Sequence, residues 1–396
     1  MIILAHNRYR SDVPSGENVV QQRQQKLLEE MGHLVQPWLL ESDDLLRQGF
    51  MDKMAVALRL PGYVPRRKGF ADQLRNWRNA GADLVHLHNP WPLFTYDVAL
   101  AARDVGLPIV QTLHNYRLIG TNNRVVVQGR LGRPESPQAV LDLARMANHH
   151  QAHVNPFYNR ALESLWRQEV PQTAISAYIC LTNFQRQRVV AAGIPAERTV
   201  VLPNFLDHRG PIGVDPGEYA LFVGRLDETK GIDRLLSWWP KDGPPLKVVG
   251  TGPLMGRLPI HPRVEFLGRR PFSEVQELMA SARFLVMASI WYEGFPLVLV
   301  EALAAGTPCL VPNLGGMAEV VAPGLTGEFF PPDDSRAAAT AVGRLWDLAP
   351  SLRPACRDTY ERLYTPTCHL DRLLAIYDSV RQGLPLSLMS RSSSCA

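Results

Sequence analysis

The sequence predicts an α/β fold made of two doubly wound domains, and three observations carry this prediction. The chain has 396 residues, whereas a single hydrophobic core stops growing at about 250–300 residues. Short apolar runs alternate with amphipathic stretches along the chain, which is typical of parallel sheets covered by helices. A segment rich in proline and glycine, 203–213, separates two series of these runs and predicts the joint between the domains.

The apolar runs predict eleven strands in two series. The first series is 1–6, 33–39, 83–88, 108–114, 175–182 and 199–203, and the second is 219–224, 245–250, 264–267, 283–289 and 308–312. The amphipathic stretches 18–31 and 273–282 predict helices between strands. Segment 120–174 is expected to be a helical excursion of the first domain, and 335–383 a helical C-terminus. The serine-rich tail, 385–396, is expected to be disordered.

Composition and charge exclude several classes of protein. With 46% hydrophobic and 20% charged residues, the chain is not expected to be disordered or fibrous. A net charge of +4 is too small to favour a nucleic-acid binder. No apolar run approaches the ~18 residues that a membrane span needs, and the short apolar N-terminus lacks a signal peptide's basic segment. The five cysteines lack the spacing of a zinc or redox site, and Cys180 and Cys309 are expected to be buried thiols in a cytoplasmic protein.

Charge is divided unevenly between the two halves of the chain. Residues 1–203 hold 23 basic and 17 acidic residues with eight of the 11 histidines, whereas 204–396 hold 19 basic and 21 acidic residues. Segment 59–78 concentrates six basic residues among aromatic and aliphatic ones. This composition suits peripheral contact with the inner face of a membrane, or an acidic acceptor. The alternative is a solvated, arginine-rich helix-and-loop face.

Segment 289–301 combines a helix start with two carboxylates. It follows a predicted strand, and Pro296 stands where the first turn of a helix tolerates proline. Open backbone N–H groups at a helix start bind anions, whereas Glu293 and Glu301 suit ligand hydroxyls. An anionic centre with hydroxyls on both sides is the layout of a nucleotide sugar. The alternative is a helix-terminal carboxylate beside a solvated glutamate.

Two cations flank the turn that follows the predicted strand at 219–223. Arg225 offers a planar fork to phosphate and Lys230 a mobile point charge, so that together they would neutralise a departing diphosphate. The alternative is a solvated turn in which Lys230 pairs with Asp227 or Glu228. The chain contains no Asp-x-Asp, the motif with which metal-dependent sugar transferases commonly hold a divalent ion. We therefore expect no metal cofactor, with cations and the helix start supplying that charge.

Three positions of the first domain lie at the carboxyl ends of predicted strands, where ligands bind in such sheets. Gly16 follows the first strand, and His88 and His114 end later ones. A lone glycine is not the Gly-x-Gly-x-x-Gly fingerprint, which argues against a nicotinamide enzyme. An ordinary turn is the alternative for Gly16, and a structural role is the alternative for either histidine.

Taken together, these segments resemble the retaining glycosyltransferases of family 4, which have the GT-B fold. The resemblance covers most of residues 1–335 in the right order. The motifs that carry it are 222–231, 293–301, 315–321 and 324–327 in the second half, and 113–117 and 201–204 in the first. Ser15 is a departure, because the family's first loop often has a second glycine there.

The resemblance implies two Rossmann-like domains that face each other across a cleft. Residues 1–205 would bind the acceptor and 206–364 the donor, a nucleoside-diphosphate sugar. A C-terminal helix at about 365–383 would pack back on the first domain.

It also implies residue roles. Glu293 would hold sugar hydroxyls, Glu301 the ribose, and His114 would contact the sugar near the reacting carbon. The implied catalytic residues are His114, Glu293, Arg225 and Lys230. The implied donor-binding residues are Gly16, Gly224, Arg225, Lys230, Gly250, Gly252, Arg269, Glu293, Gly294, Phe295, Leu297, Val298 and Glu301.

The predicted reaction is therefore transfer of a sugar to an acceptor hydroxyl with retention of anomeric configuration. The leaving phosphate itself would take the acceptor's proton, so no separate general base is assigned. The acceptor is open between a saccharide, a lipid-linked saccharide and a small natural product. The alternatives are a nucleotide-sugar epimerase on a similar fold and a catalytically silent sugar-nucleotide-binding partner subunit.

Overall fold

The computed structural model describes residues 1–8, 16–43, 66–120, 125–133, 136–146, 156–207, 210–213, 215 and 217–386. These residues form two compact units. One contains Met1–Pro203 and the chain from Leu370 to the last described residue, and the other contains Asn204–His369. From sequence, the first domain was expected to end at 205.

The first unit is built on a parallel sheet with one added hairpin. Its strands are β1 Ile2–Arg8, β2 Val35–Glu41, β3 Leu84–Leu87, β4 Ile109–Leu113, β5 Val125–Val127, β6 Arg130–Gly132, β7 Ala177–Cys180 and β8 Thr199–Val201. Its helices are α1 Gly16–Glu30, α2 Arg67–Asn79, α3 Asp97–Asp104, α4 Pro137–Met146, α5 Pro156–Arg167, α6 Val170–Thr173 and α7 Asn183–Ala191. The six-stranded sheet has the order β2-β1-β3-β4-β7-β8, and β5 pairs with β6 alone in an antiparallel hairpin.

The central strands of this sheet are apolar and buried along their length. In β3, β4 and β7 every residue is buried, as expected for strands covered on both faces. One layer of the core contains residues from β1, β3, β4 and β7 together with Leu373, Ile376 and Tyr377 from the end of the chain. The helix that carries these three side chains is therefore part of the first unit's core.

The second unit has its own six-stranded parallel sheet. Its strands are β9 Ala220–Val223, β10 Leu246–Val249, β11 Val264–Gly268, β12 Phe284–Val286, β13 Cys309–Pro312 and β14 Gly327–Phe330. Its helices are α8 Ile232–Trp238, α9 Phe272–Ala280, α10 Leu297–Ala304, α11 Met317–Val320 and α12 Ser335–Leu363. The last helix, α13 Pro366–Arg381, begins in this unit and continues into the first.

The strand order of the second sheet is β11-β10-β9-β12-β13-β14. The chain proceeds from β9 outward to β11 and then returns to β12, on the other side of β9. This is the order of a doubly wound dinucleotide-type domain, whose ligand site lies where the winding reverses. The apolar core of this unit joins α8 and α12 to one face of the sheet. The reversal point between β9 and β12 is thus held by a rigid scaffold.

The predicted fold of two parallel-sheet α/β units is confirmed, and each of the eleven predicted strands is present. The structure adds three strands that were not predicted, namely β5, β6 and β14. Segment 120–174 is therefore not wholly helical, because the hairpin β5–β6 precedes its helices. Cys180, Cys309 and Cys356 are free and buried. In the described part of the chain, no helix is long and apolar enough to cross a membrane.

Candidate active site

The candidate site of the second unit lies at the carboxyl edge of its sheet. Adjacent parallel strands end at the same edge, so the segments that follow β9, β10 and β12 come together there. The segment after β9 carries Arg225 and Lys230, and the segment after β12 carries Glu293. The cations predicted to bind diphosphate and the carboxylate predicted to bind the sugar thus flank the point where the winding reverses.

The turn after β9 is organised by Asp227. Its Oδ1 accepts hydrogen bonds from Thr229 Oγ1 at 2.5 Å and from the Lys230 backbone N–H at 3.1 Å. Its Oδ2 accepts a hydrogen bond from Arg225 Nε. Burial by itself raises the pKa of Asp227, but these hydrogen bonds and the Arg225 charge together hold the pKa below its usual value. Arg225 is therefore oriented by an ionised carboxylate two residues away.

The segments after β9 and β12 are in direct backbone contact. Gly231 adopts a left-handed conformation (φ 65°), and a Cβ there would lie 2.0 Å from the carbonyl oxygen of Ala288. The Ile290 N–H also donates to the Thr229 carbonyl at 3.1 Å. Only glycine allows this approach. It places Lys230 next to Glu293, which is 63 residues further along the chain.

Glu293 is a buried carboxylate with three donors on one oxygen. Oε1 accepts hydrogen bonds from Lys230 Nζ at 2.6 Å, Ser289 Oγ at 2.7 Å and Trp291 Nε1 at 3.0 Å. Only 8% of the residue is exposed. Burial raises the pKa of Glu293, but the Lys230 charge and the three hydrogen bonds outweigh it, and the net pKa lies below its ordinary value. Glu293 is ionised at neutral pH and paired with Lys230.

This pairing decides between the interpretations of Lys230 that the sequence left open. Its ammonium group contacts Glu293 rather than Asp227 or Glu228, so the interpretation as a solvated turn is wrong for its side chain. Lys230 keeps 25% of its side chain exposed and Arg225 keeps 35%. Both cations are accessible to a ligand at this edge of the sheet while anchored by a carboxylate.

Helix α10 begins next to this carboxylate. Pro296 is its N-cap residue rather than part of its first turn, and the helix proper starts at Leu297. The first N–H groups of a helix have no partner within it, which makes them available to an anion. Phe295, Leu297 and Val298 surround this start, and all three are half-buried. Glu301 lies one turn after Leu297 on the same helix face and is also half-buried.

The two glycines predicted to line a nucleoside pocket have a steric reason to be glycine. A Cβ on Gly250 (φ 140°) would lie 1.8 Å from the Gly224 carbonyl oxygen, and one on Gly252 would lie 2.3 Å from the carbonyl oxygen of Leu226. The loops after β9 and β10 therefore pack backbone against backbone. Arg269 is exposed directly after β11, and the preceding carbonyl accepts from the Gly250 N–H at 2.9 Å. The nucleoside role of these residues stays a prediction.

In the first unit, a row of histidines lines the carboxyl ends of β1, β3 and β4. His88 Nδ1 and His114 Nε2 are 2.9 Å apart, and their rings stack with centroids 5.2 Å apart. His86 stacks on His88 from the other side at 4.4 Å and contacts Tyr377 Oη at 2.6 Å. Burial lowers the pKa of His114, which the charge of Glu17 opposes. His114 is therefore a neutral imidazole fixed by His88.

Glu17 and Asn115 complete the polar groups near His114. Glu17 is on the first turn of α1, and its Oε1 accepts a hydrogen bond from Asn115 Nδ2 at 2.9 Å. Gly16 is exposed, and a Cβ there would meet nothing within 4 Å. No crowding in the described residues thus explains a glycine at this position, and its predicted role over the donor stays a prediction. Ser15 lies outside the described residues.

The basic segment 59–78 is described from residue 66 onward. Three of its cations are used within the unit. Arg67 pairs with Asp104, Arg75 Nη2 contacts Asp72 at 2.5 Å, and Arg78 donates to a backbone carbonyl. Lys68 is exposed. The described part therefore agrees with the alternative of a helix face whose arginines are tied to neighbouring acids, and the structure gives no support for membrane contact.

Sequence reasoning missed the residues that hold the predicted ones in place. Ser289 and Trp291 bind Glu293, and Asn115 binds Glu17. A signal was present for Ser289, because it is a hydroxyl directly after a buried strand and four residues before a carboxylate. Among the described residues, no group of three or more potential metal ligands is found.

Two family models match this chain. A model described as Glycosyltransferase Family 4 matches residues 19–209, and one described as Glycosyl transferases group 1 matches residues 217–347. The chain belongs to glycosyltransferase family 4. The resemblance drawn from the sequence motifs is confirmed. The two models meet near the boundary between the two units, so each unit corresponds to one family module.

Relatives and solved structures agree with this assignment. The chain is 29% identical over 259 residues to a GDP-mannose-dependent alpha-mannosyltransferase of Mycobacterium tuberculosis, covering 65% of this chain and 62% of that protein. It is 26% identical over 308 residues to a glycogen synthase of the same species, covering 73% and 65%. The chain thus spans less than two thirds of these relatives. Anabaena HepE, solved in complex with UDP, has the same fold (TM-score 0.62, 18% identity, covering 96% of this chain and 100% of that one).

Proposed function

We propose that this protein is a retaining glycosyltransferase that moves a hexosyl group from a nucleoside-diphosphate sugar to an acceptor hydroxyl. The observation that carries the proposal is the arrangement at the reversal point of the second sheet. There Arg225, Lys230 and the start of α10 lie beside the buried carboxylate of Glu293. A diphosphate needs the cations and the amides, and a sugar needs an ionised acceptor of hydroxyl hydrogen bonds.

The proposed chemistry assigns the leaving group to the second unit. As the bond between the anomeric carbon and the diphosphate breaks, negative charge grows on the phosphate. Arg225, Lys230 and the first amides of α10 stabilise that charge, and the leaving phosphate accepts the proton of the acceptor hydroxyl. Glu293 orients the sugar through its hydroxyls, and Glu301 binds the ribose. His114 of the first unit, neutral at physiological pH, hydrogen-bonds to the sugar.

We propose that transfer is independent of metal ions. Arg225 and Lys230 are two permanent charges at the position where a divalent ion would otherwise neutralise the diphosphate. The sequence also lacks an Asp-x-Asp. Turnover with a chelator is expected to equal turnover without it. A requirement for added magnesium or manganese would overturn this part of the proposal.

The test is a thermal-shift screen with nucleoside diphosphates and their sugars, followed by turnover assays on the best donor. A ligand at 100 times its Kd should stabilise the protein by about 2.7 kcal/mol, which is readily detected as a shift in Tm. Lys230→Ala is expected to lower kcat about 10²–10³-fold, the usual effect of removing one group that stabilises developing charge. Unchanged kcat in this variant, or no response to any donor, would refute the assignment.

The acceptor is proposed only by class, as a saccharide, a lipid-linked saccharide or a small natural product. Transfer assays on these three classes, with the identified donor, distinguish them. Release of an epimerised sugar nucleotide in the absence of any acceptor would instead favour the epimerase, and binding without turnover would favour a silent partner subunit.

A further inference from the structure

The polar contacts of Glu293 are distributed unequally between its two oxygens. Oε1 receives all three hydrogen bonds, from Lys230, Ser289 and Trp291. Among the described residues, no donor bonds Oε2. An ionised carboxylate has about four acceptor positions, two on each oxygen. The hydrogen-bonding capacity of Oε2 thus remains available, although the side chain is only 10% exposed.

The three donors differ in how they are held. Ser289 is 2% exposed and follows β12 directly, so its hydroxyl is fixed by the end of a buried strand. Trp291 is half-buried, and its ring also lies 5.9 Å from the Lys230 ammonium group. Lys230 comes from the neighbouring segment after β9. Three donors from different directions leave the carboxylate no freedom to rotate about its terminal bond.

We propose that Ser289 and Trp291 are positioning residues that lock Glu293 with Oε1 inward and present Oε2 to a hydroxyl of the donor sugar. The two residues act through Glu293 and need no contact with the donor. Their position follows from the chain itself, because Ser289, Trp291 and Glu293 lie within five residues of one loop. The proposal rests on the proposed function, since it requires a sugar at this site.

The lock has a second effect that can be measured without a donor. Hydrogen bonds to the ionised form of a carboxylate lower its pKa, and burial raises it. Among the described residues, Lys230 is the charged group that acts on Glu293. Removing Ser289 Oγ or Trp291 Nε1 therefore leaves the charge interaction in place and raises the pKa of Glu293. A charge-assisted hydrogen bond corresponds to about one pKa unit.

The variants are Ser289→Ala and Trp291→Phe, each of which deletes one donor and keeps most of the side chain. The chain offers a matched control for each. Ser237→Ala deletes a hydroxyl that donates at 2.7 Å to the Arg234 backbone carbonyl, and Trp239→Phe deletes an indole N–H that donates at 3.0 Å to that of Pro244. Neither control residue contacts Glu293. Ser289→Thr restores the hydroxyl and serves as the rescue variant.

The first measurement compares affinity for UDP-glucose, GDP-mannose and ADP-glucose with affinity for UDP, GDP and ADP. The lock acts on the sugar alone, so Ser289→Ala and Trp291→Phe should bind the matching diphosphate as the wild type does. Each should bind the nucleotide sugar about tenfold more weakly and turn it over with a correspondingly lower kcat/KM. Ser289→Thr should recover most of the loss. Equal losses for diphosphate and nucleotide sugar would overturn the proposal, since they would indicate a merely structural role.

The second measurement is a ¹³C NMR titration of the Glu293 side-chain carboxyl in the wild type and both variants. The proposal expects the pKa to rise by about one unit in each variant and not in the two controls. An unchanged pKa would overturn the lock. This titration requires no donor, so it decides the inference even if no nucleotide sugar binds, a result that would refute only the proposed function.

Discussion

Replacing Lys230 by methionine tests whether its ion pair with Glu293 behaves as a buried one. The change keeps the length of the side chain and removes its charge. Breaking a fully buried pair costs about 3–5 kcal/mol, whereas exposed pairs are worth about 0.2–1 kcal/mol. The two side chains are 25% and 10% exposed, with 2.6 Å between Nζ and Oε1. We therefore expect Lys230→Met to lower the free energy of unfolding by about 2–3 kcal/mol at pH 7.

The loss should depend on pH with a definite sign. In the wild type the pKa of Glu293 is below its unfolded value, so the pair stabilises the fold above the unfolded pKa and this contribution is lost as the pH falls through the folded pKa. Without Lys230, burial dominates and raises the folded pKa. The variant then loses stability as the pH rises through that value. The difference between variant and wild type should be largest at pH 7 and shrink toward pH 5.

The assay is urea unfolding at pH 7 and pH 5, with a double-mutant cycle through Glu293→Gln. Lys230→Met should cost less in the Glu293→Gln background, because no buried carboxylate is left unpaired. Lys247→Met is the matched control, since its ammonium group lies 3.9 Å from the centroid of the Tyr219 ring and pairs with no carboxylate of the described residues. A loss below about 1 kcal/mol at pH 7, with no coupling in the cycle, would show that the pair is solvated.

Two further predictions concern other parts of the structure. Gly250→Ala should destabilise the second unit by more than about 2 kcal/mol, because its Cβ would meet the Gly224 carbonyl oxygen at 1.8 Å, whereas Gly256→Ala (φ 91°, nothing within 4 Å) should cost only about 1 kcal/mol of backbone strain; equal urea midpoints would refute this. Burial lowers the pKa of His6 from 6.5 to about 4, so about 3 kcal/mol of stability, fully present above pH 6.5, should be lost as the pH falls to 4. His6→Gln should abolish this pH dependence in urea unfolding, and a retained dependence would contradict the assignment to His6.

Most of the fold was predictable because buried parallel strands are continuous apolar runs. The strands that escaped prediction have weaker signals. β5 and β6 contain three residues each and join through Gln128 and Gly129, both with positive φ, so a two-residue turn decides the hairpin rather than any apolar run. β14 is a four-residue edge strand that begins with glycine.

The candidate site was predictable in its residue types and not in its pairings. The turn at Arg225 and the helix start after Glu293 follow from local sequence. The contact between Lys230 and Glu293 depends on β9 and β12 being neighbours, although β10 and β11 lie between them in the chain. Local sequence favoured a pairing of Lys230 with a nearby acid for that reason. The order of strands in a sheet is tertiary information that no short window contains.

The passage of α13 from one unit into the other has a consequence for how this protein is made. Leu373, Ile376 and Tyr377 belong to the core of the first unit, and Tyr377 contacts a histidine 291 residues earlier in the chain. A ribosome releases the C-terminus last, so the first unit lacks part of its core until synthesis is nearly complete. The second unit is one continuous stretch, Asn204–His369, and has all its strands earlier. The half synthesised first is therefore the half that finishes folding last, which reverses the usual order in multidomain chains.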